Sequence, residues 1–374
     1  MRHKVCAIVL LIFLVMFTNS ALGAELQVSA QSAILMDADT GKILYSKNPH
    51  ERRPPASTTK ILTAILAIEK GKLNDVTEIT ARAAQTGESR INLVTGEKIT
   101  LENLLYGALL KSGNDACVAI AECIAPSVEE FVNLMNLKAR MLGCYNSNFC
   151  NTNGLPHKDH YSSAYDLALL ARYALSNRTF AKIVATPDYT IQWEENGRKR
   201  KVTNTNKLLQ VYPGATGIKT GTTVKAGQCL VASATRENRN LLAVLLKSNN
   251  RFADAQYLLN YGFNNYRNIN IVQANKAITY HDPEADLDLA LATERGMTIT
   301  IKNNEALNLT SQIVINRPLG EDLKKNQSVG NIIFFNNGIK VGEVALYALK
   351  DYKLNKTKSF INFSQIFGGM NKIN

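Results

Sequence analysis

Two consecutive prolines, Pro54 and Pro55, separate a segment patterned like strand and turn from one that is apolar like a helix. Neither can continue a strand or a helix interior, because each lacks an N–H and holds φ near about −65°. Before them, residues 32–36 and 42–46 read as two strands joined by the turn Asp37-Ala38-Asp39-Thr40-Gly41, a hairpin. After them, Ser57-Thr58-Thr59-Lys60 runs into the apolar residues 61–68, and a helix is expected to start at Ser57. The opening of the chain therefore predicts a mixed fold of helices and sheet.

With about 3.6 residues per turn, Lys60 stands one turn after Ser57 on the same helix face, where its amine can reach the hydroxyl. A serine hydroxyl is a poor nucleophile until a base takes its proton. Lysine can act as that base once burial or a second cation disfavours its ammonium form. The free N–H groups of the helix start, that of Ser57 included, can stabilise an oxyanion. On its own the pair also reads as a capped helix, with Ser57 as N-cap and Lys60 solvated.

Two further segments stand out. Residues 101–110 and 115–124 have helical apolar spacing, and Lys111-Ser112-Gly113-Asn114 breaks between them, projecting Ser112 and Asn114. The plain reading is a helix connection with Asn114 as N-cap. Later, Gly217-Ile218-Lys219-Thr220-Gly221-Thr222-Thr223 precedes a strand at 228–234, which turns through 236–239 into another at 241–247. Its plain reading is a strand edge carrying a surface lysine.

In the order Ser-x-x-Lys, Ser-x-Asn, Lys-Thr-Gly, the three segments together resemble the active-site signature of penicillin-binding proteins and serine β-lactamases. Ser112 lies 55 residues after Ser57 (112 minus 57) and Lys219 lies 107 after Ser112 (219 minus 112). These gaps look like those of the low-molecular-mass D-alanyl-D-alanine carboxypeptidases. Asn151-Thr152-Asn153-Gly154-Leu155-Pro156 and Ser162-Ser163-Ala164-Tyr165-Asp166-Leu167 resemble further parts of that family, so the likeness covers roughly residues 28–265.

The resemblance implies a penicillin-binding-protein/β-lactamase-like α+β domain, an antiparallel sheet flanked by helices, followed by a small all-β domain. It implies that Ser57 forms the acyl-enzyme, Lys60 deprotonates it, and Ser112 relays a proton to the departing amine. Asn114 would hold the substrate amide, Lys219 would keep the site electropositive and lower the pKa of Lys60, and Thr220 would bind the terminal carboxylate. Gly221 belongs to the same motif, and the N–H of Thr222 would be the second oxyanion donor. Peptidoglycan stem peptides would be the substrates, β-lactams covalent inhibitors, and no cofactor is expected. Two departures stand. The middle motif is Ser-Gly-Asn, without a Glu-x-x-Leu-Asn segment to activate a deacylating water, which argues against a β-lactamase. Where some relatives place an arginine before Lys-Thr-Gly, this chain has Asn204-Thr205-Asn206-Lys207, and Thr205 or Lys207 is the expected substitute. The alternatives are a D,D-endopeptidase or transpeptidase on the same substrates, or a non-catalytic penicillin-binding sensor.

The rest of the chain bears on location. Basic Arg2, His3 and Lys4, apolar residues 5–17, and small Ala21, Gly23 and Ala24 form the pattern of a signal peptide over 1–23. The apolar run falls short of the roughly 20 residues that span a bilayer. A net charge of +12 suits anionic wall polymers or phospholipid headgroups. Nucleic acid is not expected, since the basic run 198–201 follows the turn Asn196-Gly197 and reads as a solvated hairpin tip. Cys117, Cys123, Cys144, Cys150 and Cys229 contain no CxxC pair, so zinc is not expected. Cys144 and Cys150 could pair, with buried free thiols as the other reading. Domains are expected at 24–265, catalytic, and 266–352, β-rich, with a tail at 353–374. In that tail Phe360, Phe363 and Phe367 follow three lysines, which suits an amphipathic membrane anchor, and a packed end of the β domain is the alternative.

Overall fold

The structure, a computed structural model, describes residues 27–192, 199–283, 286–316, 321–353 and 371–372. The expected hairpin forms, with strands β1 (Ser32–Asp37) and β2 (Ile43–Lys47). Strands β3 (Ala215–Thr223), β4 (Gly227–Arg236) and β5 (Arg239–Ser248) complete an antiparallel five-stranded sheet in the order β2-β1-β5-β4-β3. Lys219-Thr220-Gly221 precedes the strand at 228–234, as its sequence suggested, and is itself part of the sheet. It lies within β3, the edge strand, where a Gly- and Thr-rich composition hides the period-2 pattern.

Every residue of β1 is buried, so both faces of the sheet must be covered. Ile34 and Met36 join one apolar cluster with Leu242, Val244 and Leu246, while Ala33 and Leu35 join another with Leu241, Ala243 and Leu245. This is the alternation of side chains along a strand. The first cluster is closed by α1 (Lys60–Lys70), α2 (Asn114–Ile124) and α3 (Ala164–Leu175). The second is closed by α4 (Arg251–Asn265), through Ala255, Leu258 and Leu259. Helix α1 is buried from Lys60 to Ala67, so its first residue enters the core with a charge-bearing side chain.

After α4 the chain becomes all-β. Tyr266–Val272 pairs with Met297–Lys302, and Ala277–Asp282, Leu287–Thr293, Leu309–Ile315, Ser328–Asn336, Ile339–Ala348 and Asn371–Lys372 make a six-stranded sheet. Its central hairpin turns at Asn337 and Gly338, both at positive φ (51° and 76°), as a tight hairpin loop demands. Leu289, Leu291, Phe334, Val344 and Leu346 form its own apolar core.

Several sequence expectations resolve here. The strands Asp188–Gln192 and Lys199–Thr203 pair as the basic hairpin predicted, with residues 193–198 outside the described residues. Arg200 is not a solvated tip, because its guanidinium grips the buried Glu97 carboxylate at 2.8 and 3.1 Å. All five cysteines after residue 6 are free thiols, Cys144 donating to Asp166 O and Cys150 accepting from Asn148. The signal-peptide residues 1–23 and Phe360, Phe363 and Phe367 lie outside the described residues.

The all-β part is tied to the opening hairpin. Asp37, wholly buried, accepts from Arg239 Nε at 2.9 Å, and Arg239 Nη1 also donates to Gly262 O and Tyr266 O. Thr300 bonds Thr40 Oγ1 and Asn268 Oδ1 at 2.7 Å each, and its carbonyl accepts from Lys42 Nζ at 2.8 Å. Removing one partner of a buried ion pair strands the other charge. Asp37→Ala is therefore expected to lower stability by about 3–5 kcal/mol in a chemical denaturation experiment. A change under about 0.5 kcal/mol would mean that the pair does not hold this junction, as at an ordinary surface site.

Candidate active site

Pro55 leads into Ala56 at φ 48°, and Ala56–Thr59 forms a 3₁₀ turn, with the α-helix beginning only at Lys60. The expected helix start at Ser57 is thus a tighter turn. Thr58 holds it by returning both its N–H and its hydroxyl to Pro55 O. In a 3₁₀ turn side chains three apart eclipse one another, and Lys60 Nζ donates to Ser57 Oγ at 2.9 Å.

Lys60 has no exposed surface. Its amine is met by Asn114 Oδ1 at 2.8 Å and Asn153 O at 2.7 Å, besides Ser57. Burial lowers its pKa to about 8, against smaller opposing effects of Cys117, Glu88 and Asp115. Lys219 is buried beside it, and burial followed by the charge of Lys60 holds its pKa well below the usual lysine value. The sequence reading had Lys219 lowering Lys60. Burial is the largest cause at both lysines, and repulsion between neighbouring ammonium groups acts on each of them.

The Ser-Gly-Asn turn is held from behind. A five-residue π-helical turn, Gly107–Lys111, ends at Ser112, whose backbone is left-handed (φ 69°). Asp115, wholly buried, accepts from the N–H groups of Ile91, Leu93 and Ala116. Asn114 donates its N–H to Ser89 O and its Nδ2 to Gly87 O. Asn114 is therefore first a ligand of Lys60, with one Nδ2 hydrogen left for a substrate carbonyl. The Ser112 hydroxyl makes no hydrogen bond among the described residues and is available to a ligand.

Two glycines let backbone crowd the turn that carries Ser57. A Cβ on Gly154 (φ 88°) would stand 1.9 Å from Ala56 O, and one on Gly221 would stand 3.0 Å from Ser57 N. The first distance is forbidden to any side chain, so the 151–156 loop can close on the turn only through glycine. Beside Gly221, Thr220 Oγ1 meets Thr205 Oγ1 at 2.6 Å. Thr205, and not the exposed Lys207, is the residue that the loop before β3 sends to the motif.

Sequence reading missed Arg251. The first residue of α4 donates through Nη1 to Gly221 O at 2.9 Å and Thr222 Oγ1 at 2.8 Å, while its buried Nε has no partner among the described residues. Nothing local marks it, since it sits 32 residues beyond Lys219 (251 minus 219) at an ordinary helix start. Asn153 escaped too, because it acts through its carbonyl. All eight predicted residues, Ser57, Lys60, Ser112, Asn114, Lys219, Thr220, Gly221 and Thr222, lie on the three segments that line this region.

At the centre of these three segments, a serine hydroxyl on a 3₁₀ turn is bonded to a buried lysine amine at the start of a helix packed against the antiparallel sheet. Residues 17–250 match the peptidase S11 family, described as D-alanyl-D-alanine carboxypeptidase, and residues 266–354 match the C-terminal domain of penicillin-binding protein 5. The D-alanyl-D-alanine carboxypeptidase DacF of Bacillus subtilis is 34% identical over 94% of this chain and 95% of its own. DacC of Escherichia coli is 32% identical over 91% of this chain and 89% of its own. The crystal structure of penicillin-binding protein 5 from Haemophilus influenzae aligns with a TM-score of 0.75 at 30% identity, over 87% of this chain and 98% of that one. The chain belongs to the D-alanyl-D-alanine carboxypeptidase family of low-molecular-mass penicillin-binding proteins.

A base works in its neutral form, and the neutral fraction of an amine rises with pH. The rate of acylation by benzylpenicillin is expected to climb from pH 6 and level off above about 8, the value to which burial brings Lys60. A stopped-flow series that stays flat over that range would show that Lys60 does not limit proton removal.

Proposed function

We propose that this chain is an exported serine-type carboxypeptidase that removes the terminal D-alanine from peptidoglycan pentapeptides, and that Ser57 is its nucleophile. The observation that carries the reading is the 2.9 Å bond between the fully buried Lys60 amine and the Ser57 hydroxyl. In water such a lysine would be protonated and useless as a base, and burial removes that obstacle.

The steps follow from the geometry. Ser57 Oγ attacks the carbonyl carbon of the penultimate D-alanine as its proton passes to Lys60. The oxyanion is stabilised by the N–H groups of Ser57 and Thr222, on the turn and strand that Gly221 brings together. The C–N bond then breaks, and the departing amine takes the proton from Lys60 through the Ser112 hydroxyl. Water cleaves the resulting ester, releasing the shortened peptide and restoring Ser57. A β-lactam carbonyl would enter the same cycle and stop at the ester.

Arg251 and the Thr205–Thr220 pair favour a carboxypeptidase over cleavage within a cross-link, because they offer a cation and two hydroxyls to a free carboxylate. Edge strand β3 leaves backbone groups for an extended peptide to pair with. We assign 24–265 to the catalytic unit, 266–352 to a β-rich spacer and 353–374 to a tail that meets the membrane surface. Among the described residues no helix is long and apolar enough to cross a membrane.

Ser57→Ala is expected to give no covalent adduct with benzylpenicillin by intact mass and no D-alanine release from a pentapeptide. A persisting adduct would place the nucleophile elsewhere. A hydrogen bond to a charged group contributes about 1.5–3 kcal/mol, so Arg251→Gln is expected to lower kcat/KM about 10- to 100-fold for a peptide ending in a carboxylate. The same variant should lose much less on that peptide's C-terminal amide. Equal losses on both would remove Arg251 from carboxylate recognition.

A further inference from the structure

One buried titratable side chain lies against the catalytic turn and takes no part in the steps above. His160 is 3% exposed and sits near the end of the loop that supplies Asn153 O to Lys60. Its Nδ1 accepts from Cys150 N–H at 3.1 Å. That bond requires Nδ1 to be unprotonated, so the ring hydrogen is on Nε2. Nε2 is 2.9 Å from Thr59 Oγ1, to which it therefore donates. Phe149 stands edge-on to the ring, with centroids 5.6 Å apart at 88°. Burial, then His157 and Lys60, push the imidazole down to about 4, so this neutral tautomer persists at physiological pH.

Thr59 is the last residue of the 3₁₀ turn and the immediate neighbour of Lys60. Ser57 and Lys60 are neighbours at either helical pitch, and the pitch of that turn sets how squarely they face one another. Three residues per turn place Ser57 and Lys60 one above the other, whereas α-helical pitch would rotate them about 60° apart. Short 3₁₀ turns have poorer hydrogen-bond geometry than α-helix and need outside support. From the Pro55 side Thr58 supplies it, and from the helix side the side chain that grips the turn is His160.

We propose that His160 is a positioning residue that holds the Ala56–Thr59 turn at 3₁₀ pitch and so sets the Ser57–Lys60 contact. One ring ties the loop backbone at Cys150 to the turn at Thr59, so the Asn153 carbonyl and the Ser57 hydroxyl reach Lys60 in a fixed relation. The inference rests on Ser57 and Lys60 being nucleophile and base.

Two conservative replacements separate the two bonds. Gln extends its terminal amide to the position of Nε2 and can keep the Thr59 bond, while Asn reaches only the position of Nδ1 and can keep the Cys150 bond. Acylation rate and pre-covalent dissociation constant for benzylpenicillin are measured on the full chain for His160→Gln, His160→Asn, Thr59→Val and the last two combined. His160→Gln is expected within about threefold of the parent. His160→Asn and Thr59→Val are each expected to acylate about tenfold to a hundredfold more slowly, since small misplacements of reacting groups cost on this scale. Their dissociation constants should be unchanged, and the combined variant no slower than either single one. Parent-like acylation by His160→Asn, or a loss confined to the dissociation constant, overturns the proposal. So does a ranking of rates that merely follows the Tm values of the variants. Ser57→Ala in the same series keeps the two readings apart. If it still forms an adduct, the nucleophile assignment fails, and if it does not while His160→Asn matches the parent, only the role of His160 fails.

Discussion

Lys60 is a lysine with no contact to water at the start of a helix that is buried for two turns, and the rest of the site is arranged around that fact. An isolated ammonium in such a place is costly, and the group responds by losing affinity for its proton. What remains is met by three oxygens from three separate segments: the Ser57 hydroxyl, the Asn114 side chain and the Asn153 carbonyl. The lysine is thus the point where the Ala56–Thr59 turn, the Ser-Gly-Asn turn and the 151–156 loop are joined. Its lowered pKa and its grip on Ser57 have one origin.

Each of those segments needs its own support, and the support is polar and buried. Asp115 gathers three backbone N–H groups under the Ser-Gly-Asn turn. His160 joins the 151–156 loop to Thr59, and Thr63 fastens the same loop through Thr152 O. Buried polar groups of this kind persist because each is matched, and a partial match would leave the site less stable than apolar packing. Glycine has the complementary part. Gly154 and Gly221 admit backbone to within contact of Ala56 and Ser57, where a side chain would hold it off.

The all-β part has its own core and touches the part before it at the β1–β2 turn and the end of α4. The contacts there are directional: Arg239, paired with Asp37, donates to Tyr266 O, and Thr40 and Lys42 bond Thr300.

Residue order alone was enough to find the opening hairpin, the helices around Ser112, the β-rich C-terminal part and all three motifs, because each rests on contacts a few residues long: alternation, helical spacing, turn chemistry. Even there it went astray over a single turn, placing an α-helix start at Ser57 where the structure has 3₁₀ pitch, since the choice between them depends on Thr58, Thr59 and what they touch. Arg251, the carbonyl of Asn153 and the bridge made by His160 could not be read from spacing. Their partners lie 10 to 101 residues away in the chain, and a backbone carbonyl has no letter of its own. The pair Ser57 and Lys60 was written in the sequence. That the lysine is dry enough to be a base was decided only when the sheet, three helices and a loop closed over it, because a pKa is set by surroundings and not by the residue that bears it.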